Sequence, residues 1–177
     1  MSPRGTTLLV GLLAALVGYL VLVELPGLRR PPAPDVPEAR PLLSVPVASV
    51  ARIDIERDGG QLRAMRHDGG WADAQGRPWR SGAVSYLLET LAGLRPLMIV
   101  DPDPGTATDY GFDQAARRLR VTDSDGRIVL ALEIGDRNPA WTGLYVRRAG
   151  QPEIVLVGGV LGWDLGKVFD TAPGPEP

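Results

Sequence analysis

Asp101, Asp103 and Asp109 are the residues best placed in the sequence to do chemistry, three carboxylates within one short stretch. Neighbouring carboxylates can divide acid and base roles when their surroundings push their pKa values apart, which would suit a hydrolase. Pro102, Pro104 and Gly105 stand among them, however, and proline-flanked aspartates are ordinary turn formers. His67 is the only histidine. It has no second histidine for a metal site and no serine nucleophile marked for it to activate, so it reads as an exposed turn residue. Asp123-Ser124-Asp125-Gly126 resembles part of a calcium loop but lacks the closing glutamate, and a strand pattern follows at once, so it reads as a hairpin turn. Gly158-Gly159 precedes a helical pattern without a P-loop lysine or a dinucleotide glycine pattern, and reads as a strand-to-helix turn. No cysteine is present. The expectation is a non-enzymatic protein with no catalytic, cofactor-binding or metal-binding residue and no cofactor.

Trp71, Trp79, Trp141 and Trp163 each lie near a turn or an element end, where large aromatics usually close a core. Trp141, in Asn138-Pro139-Ala140-Trp141-Thr142-Gly143, is the candidate for partner contact if it proves exposed.

These residues need elements to hold them, and the first element is apolar. Thr6 to Val23 runs without a charged side chain. As a helix it would be about 27 Å long, close to the roughly 30 Å of bilayer hydrocarbon. The run is longer than a secretory signal core and no Ala-x-Ala site follows, so residues 1–25 are expected to remain as a single membrane anchor. A short leader stays in the cytoplasm more easily than a long domain does, so the domain is expected outside, which for a bacterial inner-membrane protein is the periplasm. Gly11, Ala14, Ala15 and Gly18 recur at helical spacing and form a candidate stripe for packing against another membrane helix. Residues 26–46 carry seven prolines and no hydrophobic period, which predicts a stiff polyproline-like stalk.

The domain is expected over residues 47–170, with 171–177 a disordered tail. Val50, Ile53 and Ile55 alternate with polar residues before Asp58-Gly59-Gly60, which predicts a hairpin with Gln61 to Arg66; a third short strand starts at Trp71. Val84, Leu87, Leu88, Leu91 and Leu94 have helical spacing, with Ser81 as the expected cap and Pro96 as the stop. Leu97 to Val100 reads as a link. Arg118–Thr122 with Arg127–Ile134, and Leu144–Arg148 with Ile154–Val157, read as two more hairpins, and Val160 to Phe169 as a final helix. The fold class is therefore α+β: an antiparallel sheet built from hairpins, in two related strand-strand-strand-helix units, with helices packed on the sheet. A net charge of -2 and a pI near 5.4 argue against nucleic acid as a partner.

The order of Gly69-Gly70-Trp71, the leucine-rich helix, Tyr110-Gly111-Phe112-Asp113, Ile134-Gly135-Asp136 and Leu144-Tyr145-Val146-Arg147 resembles the domain of unknown function 4340 family. Phe112 stands where leucine is commoner, and Gln114-Ala115-Ala116 replaces a frequent proline. The resemblance implies an anchored envelope protein that acts as an accessory to an ABC-type transporter and its gliding-motility-type auxiliary subunit, and it implies no defined reaction. Two rival functions are a binder of a small envelope ligand, such as a glycan or lipid fragment, and a hydrolase built on the aspartates.

Overall fold

The computed structural model describes residues 3–19 and 40–173, apart from residues 58, 69, 80, 81, 102, 104, 106, 114 and 115. The chain divides into two compact units, Met1–Asp35 and Val36–Pro177. The first holds helix α1 (Pro3–Tyr19). Gly11, Ala14 and Ala15 are exposed on it and Gly18 is partly so, with no atom within 4 Å of a Cβ built on either glycine. Among the described residues no helix is long and apolar enough to cross a membrane. The predicted span continues past Tyr19 into residues that lie outside the described ones.

The second unit is α+β. Strands β1 (Val50–Arg57), β2 (Gly60–His67), β3 (Gly70–Ala72), β4 (Met98–Asp101), β5 (Arg117–Asp123), β6 (Ile128–Arg137), β7 (Gly143–Arg148) and β8 (Ile154–Gly158) form one antiparallel sheet in the order β3-β2-β1-β5-β6-β7-β8-β4. Strands β1 to β3 step outward from the central β1·β5 pair in one direction, and β5 to β8 in the other. Alternation decides the two faces. Ile53 and Ile55 pair with Ala64 and Leu62 on one side and with Val121 and Leu119 on the other, so one face is an aliphatic band. Helices α2 (Ala83–Gly93) and α3 (Val160–Asp170) cover this band with Val84, Leu87, Leu88, Leu91, Leu161, Leu165 and Val168. Thr90 Oγ1 donates to the buried Asp164 carboxylate at 2.5 Å and ties the two helices together. The opposite face carries charge: buried Asp54 meets Arg63 at 2.5 Å and Arg52 at 2.9 Å, and Glu56 meets Arg120 at 3.1 Å.

Three sequence expectations change. The stalk is shorter at its end than residues 26–46, because Leu42 and Leu43 are 2% and 1% exposed and donate backbone hydrogen bonds to Leu94 and Leu91. Two leucines without a period carry no readable pattern, yet they plug the core beside α2. The link Leu97 to Val100 is in fact mostly strand β4, paired with β8 at the sheet edge. The N-cap of α2 is Gly82, with no side-chain cap; Ser81 lies outside the described residues.

Candidate functional site

Three of the short motifs, around Tyr110, Gly135 and Tyr145, meet at one junction on the charged face, where the segment around Tyr110 folds over β6 and β7. The Tyr110 ring packs edge-on to Tyr145 with centroids 5.1 Å apart, and Phe112 takes the Arg147 guanidinium over its ring at 4.9 Å. Arg147 also pairs with Glu133 across the strands. Gly111 has φ +78°, and a Cβ there would stand 2.6 Å from Asp136 Cγ. A Cβ on Gly135 would overlap the Tyr110 carbonyl oxygen. Burial first, then the charge and hydrogen bond of the Asp101 carboxylate, hold the Tyr110 hydroxyl above its ordinary value of 10.0.

Asp101 bonds Tyr110 and accepts from the Asp103 N–H at 3.1 Å, while Asp103 and Asp109 are exposed. Asp123 accepts from the N–H groups of Asp125 and Arg127 at 3.0 and 2.9 Å, so this stretch is a hairpin turn, completed by Gly126 at φ +80°. The Gly159 N–H is engaged by the Thr142 carbonyl oxygen. His67 is exposed at the end of β2. Among the described residues no cluster of three or more His, Asp or Glu is placed to hold a metal ion.

Residues 71–171 match the family described as Domain of unknown function (DUF4340), which is more than half of the chain. The chain belongs to the DUF4340 family. No curated protein and no solved structure matches it. The family match contains every part of the Tyr110 junction. Its contacts are those of a folding lock: rings, close glycines, an ion pair between β6 and β7, and a guanidinium on β7 over a loop phenylalanine.

The tryptophans split. Trp71 and Trp79 are buried in the core, but Trp141 and Trp163 are 74% and 65% exposed, which corrects the expectation that all four close the core. Trp163 lies on the face of α3 opposite buried Leu161, Leu165 and Val168, and Trp141 lies in the loop between β6 and β7. Trp141 has φ +60° and is, among the described residues, the one non-glycine with positive φ. Asn138 holds it there: its Oδ1 accepts from the N–H groups of Thr142 and Gly143, both at 2.9 Å, while its backbone carbonyl accepts from the Trp141 N–H. A strained, exposed tryptophan on a braced loop is the surface feature least explained by packing.

Beside it lies a cleft of about 460 Å³ that sequence reasoning missed. Arg57 ends β1, Arg117 begins β5 and Arg137 ends β6, and the strand registers bring all three to the same end of the sheet. All three line the cleft together with Asp136, Trp141 and Phe169. Arg137 stacks on Trp141 at 5.6 Å and Arg57 on Phe169 at 5.3 Å. Gly162 and Gly166, one helical turn apart on α3, form the wall; a Cβ on Gly166 would meet nothing within 4 Å. The available signal was an arginine recurring at three strand ends, but each alone looks like an ordinary solvated terminus.

Proposed function

We propose that this protein is a single-pass, membrane-anchored accessory of the bacterial inner membrane whose periplasmic domain binds a membrane-protein partner and performs no chemistry of its own. The partner class that the family resemblance implies is an ABC-type transporter or its gliding-motility-type auxiliary subunit. The observation that carries the partner-binding reading is the exposed tryptophan pair. Trp141 and Trp163 share one end of the sheet with exposed Val160, and aromatic residues that are exposed and held in place are the usual anchors of a protein contact. The apolar run from Thr6 to Val23 supports the anchor, and the Gly11, Ala14, Ala15 and Gly18 stripe offers a second contact inside the bilayer. We also read the two halves of the domain as related units, since each steps outward from the central strand pair and ends in a helix on the same face.

Full-length protein carrying a photo-crosslinking residue at position 163, irradiated in membranes and extracted in mild detergent, should yield transporter or auxiliary subunits by mass spectrometry. Repeated recovery in good yield without such subunits contradicts the reading.

A further inference from the structure

A second cleft, of about 330 Å³, opens between β2, the loop that joins β3 to α2 and the chain just past α3, and Trp79 lies in its wall. Trp79 is 8% exposed, and among the described residues its Nε1–H is a buried donor with no acceptor. A buried donor left unpaired is costly, so this one calls for an acceptor that the fold itself does not supply. Toward the core, Trp79 shares its surroundings with Ile53, Ile55, Val84, Leu87 and Val168, whose side chains have none. The side-chain acceptors that share a space with it, on Gln61, Asp73 and Gln75, line the cleft. We infer that this cleft is a binding site for a neutral saccharide that gives the indole its acceptor. The site goes beyond partner binding and needs no transporter.

The lining selects the ligand class. Asp73 pairs with Arg77 at 2.7 Å and Arg63 with Asp54 at 2.5 Å, so a charged ligand would have to displace a partner already in place. A wholly apolar ligand would cover the Gln61 and Gln75 amides and leave the Trp79 N–H as it is, with nothing to bond. A saccharide avoids both costs. Its hydroxyls donate and accept without net charge, and its C–H faces suit Leu62, Trp79 and Pro173. The loop that carries Gln75 is already braced: Asp73 Oδ1 accepts from the N–H groups of Gln75 and Arg77 at 2.9 and 2.8 Å, and Gly76 takes φ +80°. A volume of about 330 Å³ is at the lower end of small-molecule sites, which limits the ligand to a small saccharide. Because Nε1 is buried, the ligand gains this bond by drawing the indole edge into the cleft.

The test uses the full-length, 15N-labelled chain in a polyoxyethylene detergent, which contains no sugar, titrated with maltose, with N-acetylglucosamine and with N-acetylglycinamide. The four tryptophans give four indole N–H signals, and the one lost in Trp79→Phe belongs to Trp79. At least one saccharide should move that signal saturably to higher proton frequency, as the N–H gains an acceptor, with a dissociation constant at or below about 10 mM. The signal of Trp163, exposed on α3, should stay in place. Trp79→Phe keeps an aromatic ring but has no donor, and should weaken calorimetric binding about fivefold or more. Gln75→Ala, at an exposed position of the braced loop, should weaken it as well, and Gln151→Ala, on the β7–β8 turn, should leave it unchanged. No saturable shift with either saccharide up to about 100 mM, binding of N-acetylglycinamide as tight as that of the saccharides, or binding that survives both Trp79→Phe and Gln75→Ala overturns the inference.

Discussion

Gly135 on β6 and Gly166 on α3 both line the same cleft, yet they have opposite neighbourhoods. On its other side Gly135 faces the Tyr110 junction, where a Cβ would overlap backbone; Gly166 faces open space. One glycine is needed because the structure is closed there, and the other leaves it open. The difference separates a part of the domain that is packed closed from a part that is open to solvent. The motifs around Tyr110, Gly135 and Tyr145 sit on the closed side, while Arg137 and Trp141 sit on the open side.

The contrast can be broken by substitution, starting with the closed side. Gly135→Ala should cost about 4 kcal/mol or more, since a rigid carbonyl must move to admit the methyl group, and a urea titration followed by tryptophan fluorescence would measure it. Retention of full stability would mean that the junction is loose. Phe112→Ala should cost about 3 kcal/mol by the same titration, because the ring is buried beneath Arg147 and its loss leaves a cavity. Alkali gives a smaller, graded loss. The Tyr110 hydroxyl is held above 10.0 in the fold, so its contribution is fully present below the unfolded value and fades as pH rises through the folded one. Tyr110→Phe should therefore flatten the decline of the melting temperature above pH 10.0, and an unchanged slope would show that this tyrosine is not responsible. The smallest effect belongs to the open side: Gly166→Ala should stabilise the protein by up to about 1 kcal/mol, read as a rise in melting temperature, because helix propensity improves and nothing is struck.

The hairpins and both domain helices were readable because alternation and helical spacing are local properties. Val50, Ile53 and Ile55 face the core as the pattern requires, as do Leu87, Leu88 and Leu91. Strand β4 was not readable, since Met98-Ile99-Val100 is too short to show a period and gains its strand geometry from β8 across the chain. Leu42 and Leu43 were hidden for the same reason. The motifs around Tyr110, Gly135 and Arg147 could be recognised as words but not as one contact, because sequence spacing says nothing about which loop lies on which strand. The arginine-lined cleft depends on register between three strands, and its open wall depends on what Gly166 does not touch. Trp141 was legible as a candidate and became informative only with its exposure and its positive φ.

The chain has no cysteine, so Gly166→Cys places a single thiol in the cleft wall. The account predicts that this thiol in the folded, full-length protein reacts readily with a neutral maleimide, at a rate close to that of the unfolded chain. A thiol that reacts only after the protein is unfolded would contradict an open cleft at this end of the sheet.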